Sequence, residues 1–203
     1  MAYLAGLKDP IMQGAFEVFL ELGWGHILDA SALDHLLFLL VLCVGYSLES
    51  WRTMGLLVTA FTIGHAITLA LVTTGTVAPN EKLVETLIPL TIVWAAIGRM
   101  RSPAMGPKGS TFLYVLIVIF GIIHGMGFST TLRAMLPPGE SVVVPLLGFN
   151  VGVELGQLLI VSVLLVLNEI VLRIGANRLF LARGICAVAA IWGIVMFVSR
   201  LVA

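Results

Sequence analysis

The chain has four histidines, and each lies inside or at the rim of an apolar run. His124 sits in F-G-I-I-H-G-M-G-F-S-T-T (residues 120–131), flanked by Gly121, Gly125 and Gly127, small residues that let helices approach closely in a membrane. His26 and His35 are interleaved with Asp29 and Asp34, and His65 lies deep in a second apolar run. Asn150, Glu154 and Gln157 are spaced four and three apart, so a helix would carry them on one face. A charged carboxylate at the position of Glu154 costs about 2.5–3.5 kcal/mol in a membrane, so it calls for a proton, a cation or a metal. Neutral imidazoles with carboxylates are ligands for a divalent transition metal: Ni, Zn, Cu or Fe. A bound cation would balance the carboxylates and engage the imidazole lone pairs, lowering the cost of burying both. Cys43 and Cys186 fall in the middle of apolar runs without metal-type spacing and read as small hydrophobes.

Each polar residue also has a plainer reading. Asp34 suits a helix N-cap, His35 an interfacial side chain reaching the headgroups, Glu85 a first-turn acid favoured by the helix dipole, and Asp29 a solvated loop acid. A buried histidine can serve structure alone, hydrogen-bonded to a neighbouring helix.

The elements that must position these groups are transmembrane helices. At 203 residues, 60% hydrophobic and 11% charged, with mean hydropathy +1.10, the chain reads as an all-α integral membrane protein in one domain. The zero net charge and the absence of a basic stripe argue against nucleic acid. Six spans are expected, at about 33–48, 51–74, 82–100, 111–135, 142–172 and 179–202. Pro79, the polar stretch 101–110 and Pro137-Pro138-Gly139 mark breaks between them. Asp9 and Pro10 look like the cap and first residue of a helix over 9–25, and Glu17 and Glu21 make that helix interfacial rather than spanning.

With six spans, Arg52, Arg99, Arg101, Lys108, Arg173, Arg178 and Arg183 fall on one side, and Lys8, Lys82, Arg133 and Arg200 on the other. The richer side is expected to be cytoplasmic, leaving both termini outside. His26, Asp29, Asp34 and His35 are then expected at the outer entrance of the first span, and Glu85 one turn into the third. His65 and His124 reach ~15 Å below the outer surface, at the level of Asn150 and Glu154. One polar cluster in the outer half of the bundle follows.

Five stretches together resemble the HupE/UreJ family of bacterial membrane proteins: G-H-I-L-D-A-S-A-L-D-H-L-L-F-L-L (25–40), F-T-I-G-H-A-I-T-L-A-L (61–71), V-E-T-L-I-P-L-T-I (84–92), F-G-I-I-H-G-M-G-F-S (120–129) and F-N-V-G-V-E-L-G-Q-L (149–158). The resemblance implies a hydrogenase or urease accessory role, nickel uptake and an inner-membrane location. It maps the family's polar residues onto His26, Asp34, His35, His65, Glu85, His124, Asn150, Glu154 and Gln157. Seven residues separate His26 from Asp34 where the family pattern has five. This implies a break near 29–33 and makes the membership of His26 depend on how that break folds.

The leading expectation is a site with His35, His65, His124, Asp34, Glu154 and His26 on the metal, and Asp29, Glu85, Asn150 and Gln157 around it or at its entry. It would serve as a secondary permease or accessory protein for a divalent metal, since no Walker-type phosphate loop is present. A membrane-embedded metalloenzyme acting on a lipid-phase substrate is the alternative from another class, and a small subunit of a larger membrane complex is a third. Expected partners are the lipid bilayer, the metal ion, and other membrane subunits or further copies of the chain.

Overall fold

The computed structural model describes residues 2–29, 33–101, 110–136 and 141–202, with side chains from Gly14 onward. Among the described residues the chain is entirely helical apart from its turns: α1 (Ala2–Leu28), α2 (Leu33–Cys43), α3 (Trp51–Thr73), α4 (Glu81–Arg101), α5 (Thr111–Met135), α6 (Val143–Arg173) and α7 (Arg178–Val202). The expected loop over 102–109 and the break at Pro137-Pro138-Gly139 lie outside the described residues. Helices α3 to α7 are each long and apolar enough to cross a membrane. Gly14–Leu28 and Leu33–Cys43 meet at 69° and together are long and apolar enough for a broken span or a re-entrant loop. The protein is a multi-pass membrane protein.

The N-terminal helix departs from expectation. It runs unbroken from Ala2, so Asp9 and Pro10 do not start it. Nor does it lie apart from the bundle: Gly148 faces the Phe16 backbone, Gly152 that of Leu20, and Gly156 the Ile27 side chain, so α1 runs parallel to α6 along its length. A Cβ on Gly23 would lie 2.0 Å from the Phe149 carbonyl oxygen, and one on Gly152 2.1 Å from that of Leu20. Backbones this close need glycine on both sides. Glu17 and Glu21, which suggested an interfacial helix, lie on its exposed face.

Helix α2 is also shorter than the apolar run that contains it. It stops at Cys43, and Gly45 turns the chain with φ +90°. Carbonyls exposed by this early stop must find donors inside the protein. Arg99 Nη2 donates to Leu42 O at 2.9 Å, and Asn168 Nδ2 donates to Tyr46 O. A single 3-10 turn, Leu48–Ser50, then leads directly into α3.

The most extensive helix pairs are α3–α5, α1–α6 and α4–α7. A first core gathers Phe38, Phe61, Ile92 and Phe120; a second gathers Phe19, Ile27, Leu69, Phe149 and Val153. The four imidazoles lie where the two meet. His124 sits 5.6 Å from the Phe38 ring and 5.3 Å from that of Phe61, and His65 lies nearly parallel to Phe149 at 6.1 Å.

Candidate metal centre

Four helices supply the imidazoles: His26 the last turn of α1, His35 the first turn of α2, His65 the middle of α3 and His124 the middle of α5. The α1–α2 break therefore puts the end of one half-helix and the start of the next at the site. His35 is central, with its ring 5.1 Å from those of His26 and His124 and 6.5 Å from that of His65. One ligand atom from each of His26, His35 and His65 lies within 4.8 Å of the other two, close enough to hold a single ion. His26 thus joins the group despite its longer spacing from Asp34. His124 borders the group across His35.

Hydrogen bonding assigns one nitrogen of three of the rings. His35 Nδ1 meets Asp34 Oδ1 at 3.0 Å, and since a carboxylate only accepts, this nitrogen carries the proton. His65 Nδ1 meets Asn150 Oδ1 at 3.4 Å, and the Asn150 amide is oriented by its donation to Leu146 O at 2.7 Å. The Thr91 hydroxyl donates to Ile88 O at 2.7 Å, so it accepts from His124 Nε2 at 3.0 Å. In each case the second nitrogen is left with a lone pair. Those atoms, His35 Nε2, His65 Nε2 and His124 Nδ1, together with His26 Nε2, are buried without a hydrogen-bond partner. Orphaned polar atoms are costly in a protein interior, and four in one place fit a cation. Orienting one imidazole nitrogen while freeing the other is how proteins present histidine to a metal.

The remaining expected residues separate by position. Asp34 holds His35 twice, accepting also from its backbone N–H at 2.9 Å, and its other oxygen lies 3.6 Å from Arg200 Nη2. Its carboxylate orients an imidazole rather than adding to the histidine group. Asp29 and Glu85 line a cavity of about 320 Å³ with His26, Asp34, His35 and His124, and His26 and Asp29 also line a second, of about 630 Å³. Both acids are exposed on the wall of the first cavity. Gln157 is fully buried and accepts from Thr62 Oγ1 at 3.2 Å. Glu154 lies outside the histidine group; Thr59 Oγ1 donates to its carboxylate at 2.6 Å.

Three contributors were not singled out from sequence. Thr91 fixes His124, and Phe128 packs its ring 4.2 Å from that of His26. Arg200 reaches Asp34 and also donates from Nη1 to Glu85 O at 2.8 Å. Pro89, inside α4, explains that second contact: it has no N–H, so the carbonyl four residues earlier has no helical partner and takes the guanidinium. A proline four residues after an acid in an apolar helix was the available signal.

Comparison with curated proteins gives no match, and neither does comparison with solved structures. The family model described as HupE / UreJ protein matches residues 5–201, nearly the whole chain and all of the histidine-bearing helices. The chain therefore belongs to the HupE/UreJ family, as its five motifs implied.

Proposed function

We propose that this protein binds a divalent transition metal within the membrane and passes it across the bilayer, or on to an accessory pathway, as cargo. The observation that carries this reading is the set of four buried imidazole nitrogens without partners, three of them on histidines that each offer a ligand atom within 4.8 Å of the other two. Three neutral nitrogen ligands and no thiolate suit an ion that must be released again more than a closed structural zinc site. Nickel is the cargo the family association favours. The bacterial inner membrane, with the entry cavity outward and both termini outside, is the location consistent with the Lys and Arg bias.

Permeation is favoured over membrane-embedded catalysis by a ladder of polar contacts on the far side of the histidines. Beyond His65–Asn150, α3 and α6 make two further polar contacts, Thr62–Gln157 and Thr59–Glu154, which cross, since Glu154 lies nearer Asn150 along α6 than Gln157 does. Thr59, ~9 Å further along α3 than His65, also lines a cavity of about 550 Å³ with Arg52 and Ser162. An enzyme holding its substrate in the entry cavity has no use for such a ladder.

Elemental analysis of the purified protein, followed by titration of the metal-stripped form with Ni²⁺, Zn²⁺, Co²⁺ and Cu²⁺, tests the reading. The expected result is one bound divalent ion per chain; no saturable binding of any of the four would overturn it. Glu154→Gln keeps an acceptor for Thr59 but removes the charge. It is expected to leave Ni²⁺ affinity within about twofold while slowing uptake into proteoliposomes roughly tenfold, an added barrier of about 1.4 kcal/mol. Unchanged uptake would remove the ladder from the path.

A further inference from the structure

At the opposite end of the bundle, Arg99 lies in the last turn of α4 and is only 5% exposed. Its Nη2 donates to Leu42 O at 2.9 Å, and the guanidinium lies over the Tyr46 ring at 4.7 Å and interacts with the Tyr46 side chain. Its Nη1 is buried with no hydrogen-bond partner, and among the described residues no carboxylate forms an ion pair with it. A buried guanidinium with a spare donor and no counter-charge is an expensive arrangement.

Arg99 lines a cavity of about 230 Å³ whose other walls are almost wholly apolar, among them Phe38, Trp94, Leu116 and Phe120. Trp94 and Phe112 on its rim are 51% and 70% exposed on the outer surface of helices that cross the membrane, so the cavity borders acyl chains rather than water. Its polar end is at the last turn of α4, the level where lipid headgroups begin. An apolar slot beside the bilayer, ending at a cation with an unused N–H, matches a molecule that has an acyl chain and an oxyanion.

We infer that this cavity is a binding site for an anionic phospholipid, with an acyl chain between α2, α4 and α5 and a headgroup phosphate accepting from Arg99 Nη1. The site is separate from the histidine cluster, and its occupancy does not depend on the metal reading.

The test is native mass spectrometry and thermal unfolding of the purified full-length protein with phosphatidylglycerol, phosphatidylcholine or palmitate. Phosphatidylglycerol, whose phosphate charge balances the guanidinium, is expected to stay bound and raise Tm, whereas phosphatidylcholine, whose choline brings a second cation to Arg99, does neither. Arg99→Gln is expected to weaken retention about tenfold, the size of one lost charge-assisted hydrogen bond. Because Arg99 also holds the end of α2, a second variant leaves it in place. Gly98 lines the cavity, and a Cβ there meets nothing within 4 Å, so Gly98→Leu fills the slot without disturbing the fold. It is expected to lose phosphatidylglycerol retention while the lipid-free Tm is kept. Equal retention of the two phospholipids, retention unaffected by Gly98→Leu, or selective binding of palmitate alone would each overturn the assignment.

Discussion

Replacing Gly121 by leucine is expected to lower Tm by roughly 6–12 °C, the equivalent of about 3 kcal/mol in a chain of this length, and to abolish metal retention. A Cβ at this position would lie 2.1 Å from the Phe61 carbonyl oxygen and 3.1 Å from the His65 backbone nitrogen. The opposing Gly64 is equally confined, with its Cβ position 2.1 Å from Val118 O. Both obstacles are backbone, so no rotamer change relieves them, and α3 and α5 must separate. His65 and His124 ride on those two helices, and the rings' hydrogen-bond partners on α6 and α4 fall out of reach with them. Gly184→Leu is the control, since its Cβ meets nothing within 4 Å. Metal retention by the Gly121 variant equal to that of the control would show that the tight α3–α5 contact does not set the site.

His65→Ala is expected to weaken Ni²⁺ binding by at least about 100-fold and also to lower the Tm of the metal-free protein. The imidazole is fully buried and its Nδ1 meets Asn150 Oδ1, so truncation leaves a cavity and an unpaired acceptor, whereas Nε2 has no partner to lose. Asn150→Leu provides a graded comparison: it removes the acceptor that orients His65 and leaves every imidazole in place. Loss of such an outer partner typically costs 10–100-fold in affinity. The expected order of affinity is therefore wild type, then Asn150→Leu, then His65→Ala, measured by competition against a chelating dye. An Asn150 variant as weak as the His65 one would mean that Asn150 itself contributes to cargo binding.

The convergence of the histidines was legible because apolar runs of known length fix depth, and charges are expensive enough in lipid to gather. Depth does not fix rotation about a helix axis, however. Glu154 shares a helix with Asn150 and lies near its level, yet it meets Thr59 instead of an imidazole. The path of α1 was hidden for a related reason. Glu17 and Glu21 mark an exposed face, while the contact made by Gly23 appears only once α6 supplies Gly148 and Gly152. Thr91 and Arg200 were obscured by how ordinary they are in sequence: threonine is common in membrane helices, and an arginine near the end of the last span reads as an anchor. The two-residue insertion between His26 and Asp34 relative to the family pattern pointed to a break near 29–33, and α1 ends at Leu28 while α2 starts at Leu33.

That discontinuity has a thermodynamic consequence. Among the described residues His26 and His35 belong to two helices that meet at 69°, so that angle would be the hinge coordinate spanned by an ion held by both. Measured affinity then contains the work of closing the hinge as well as ligand chemistry. A substitution remote from every nitrogen, if it biases the angle between the two helices, will tune how firmly the cargo is gripped and how readily it leaves.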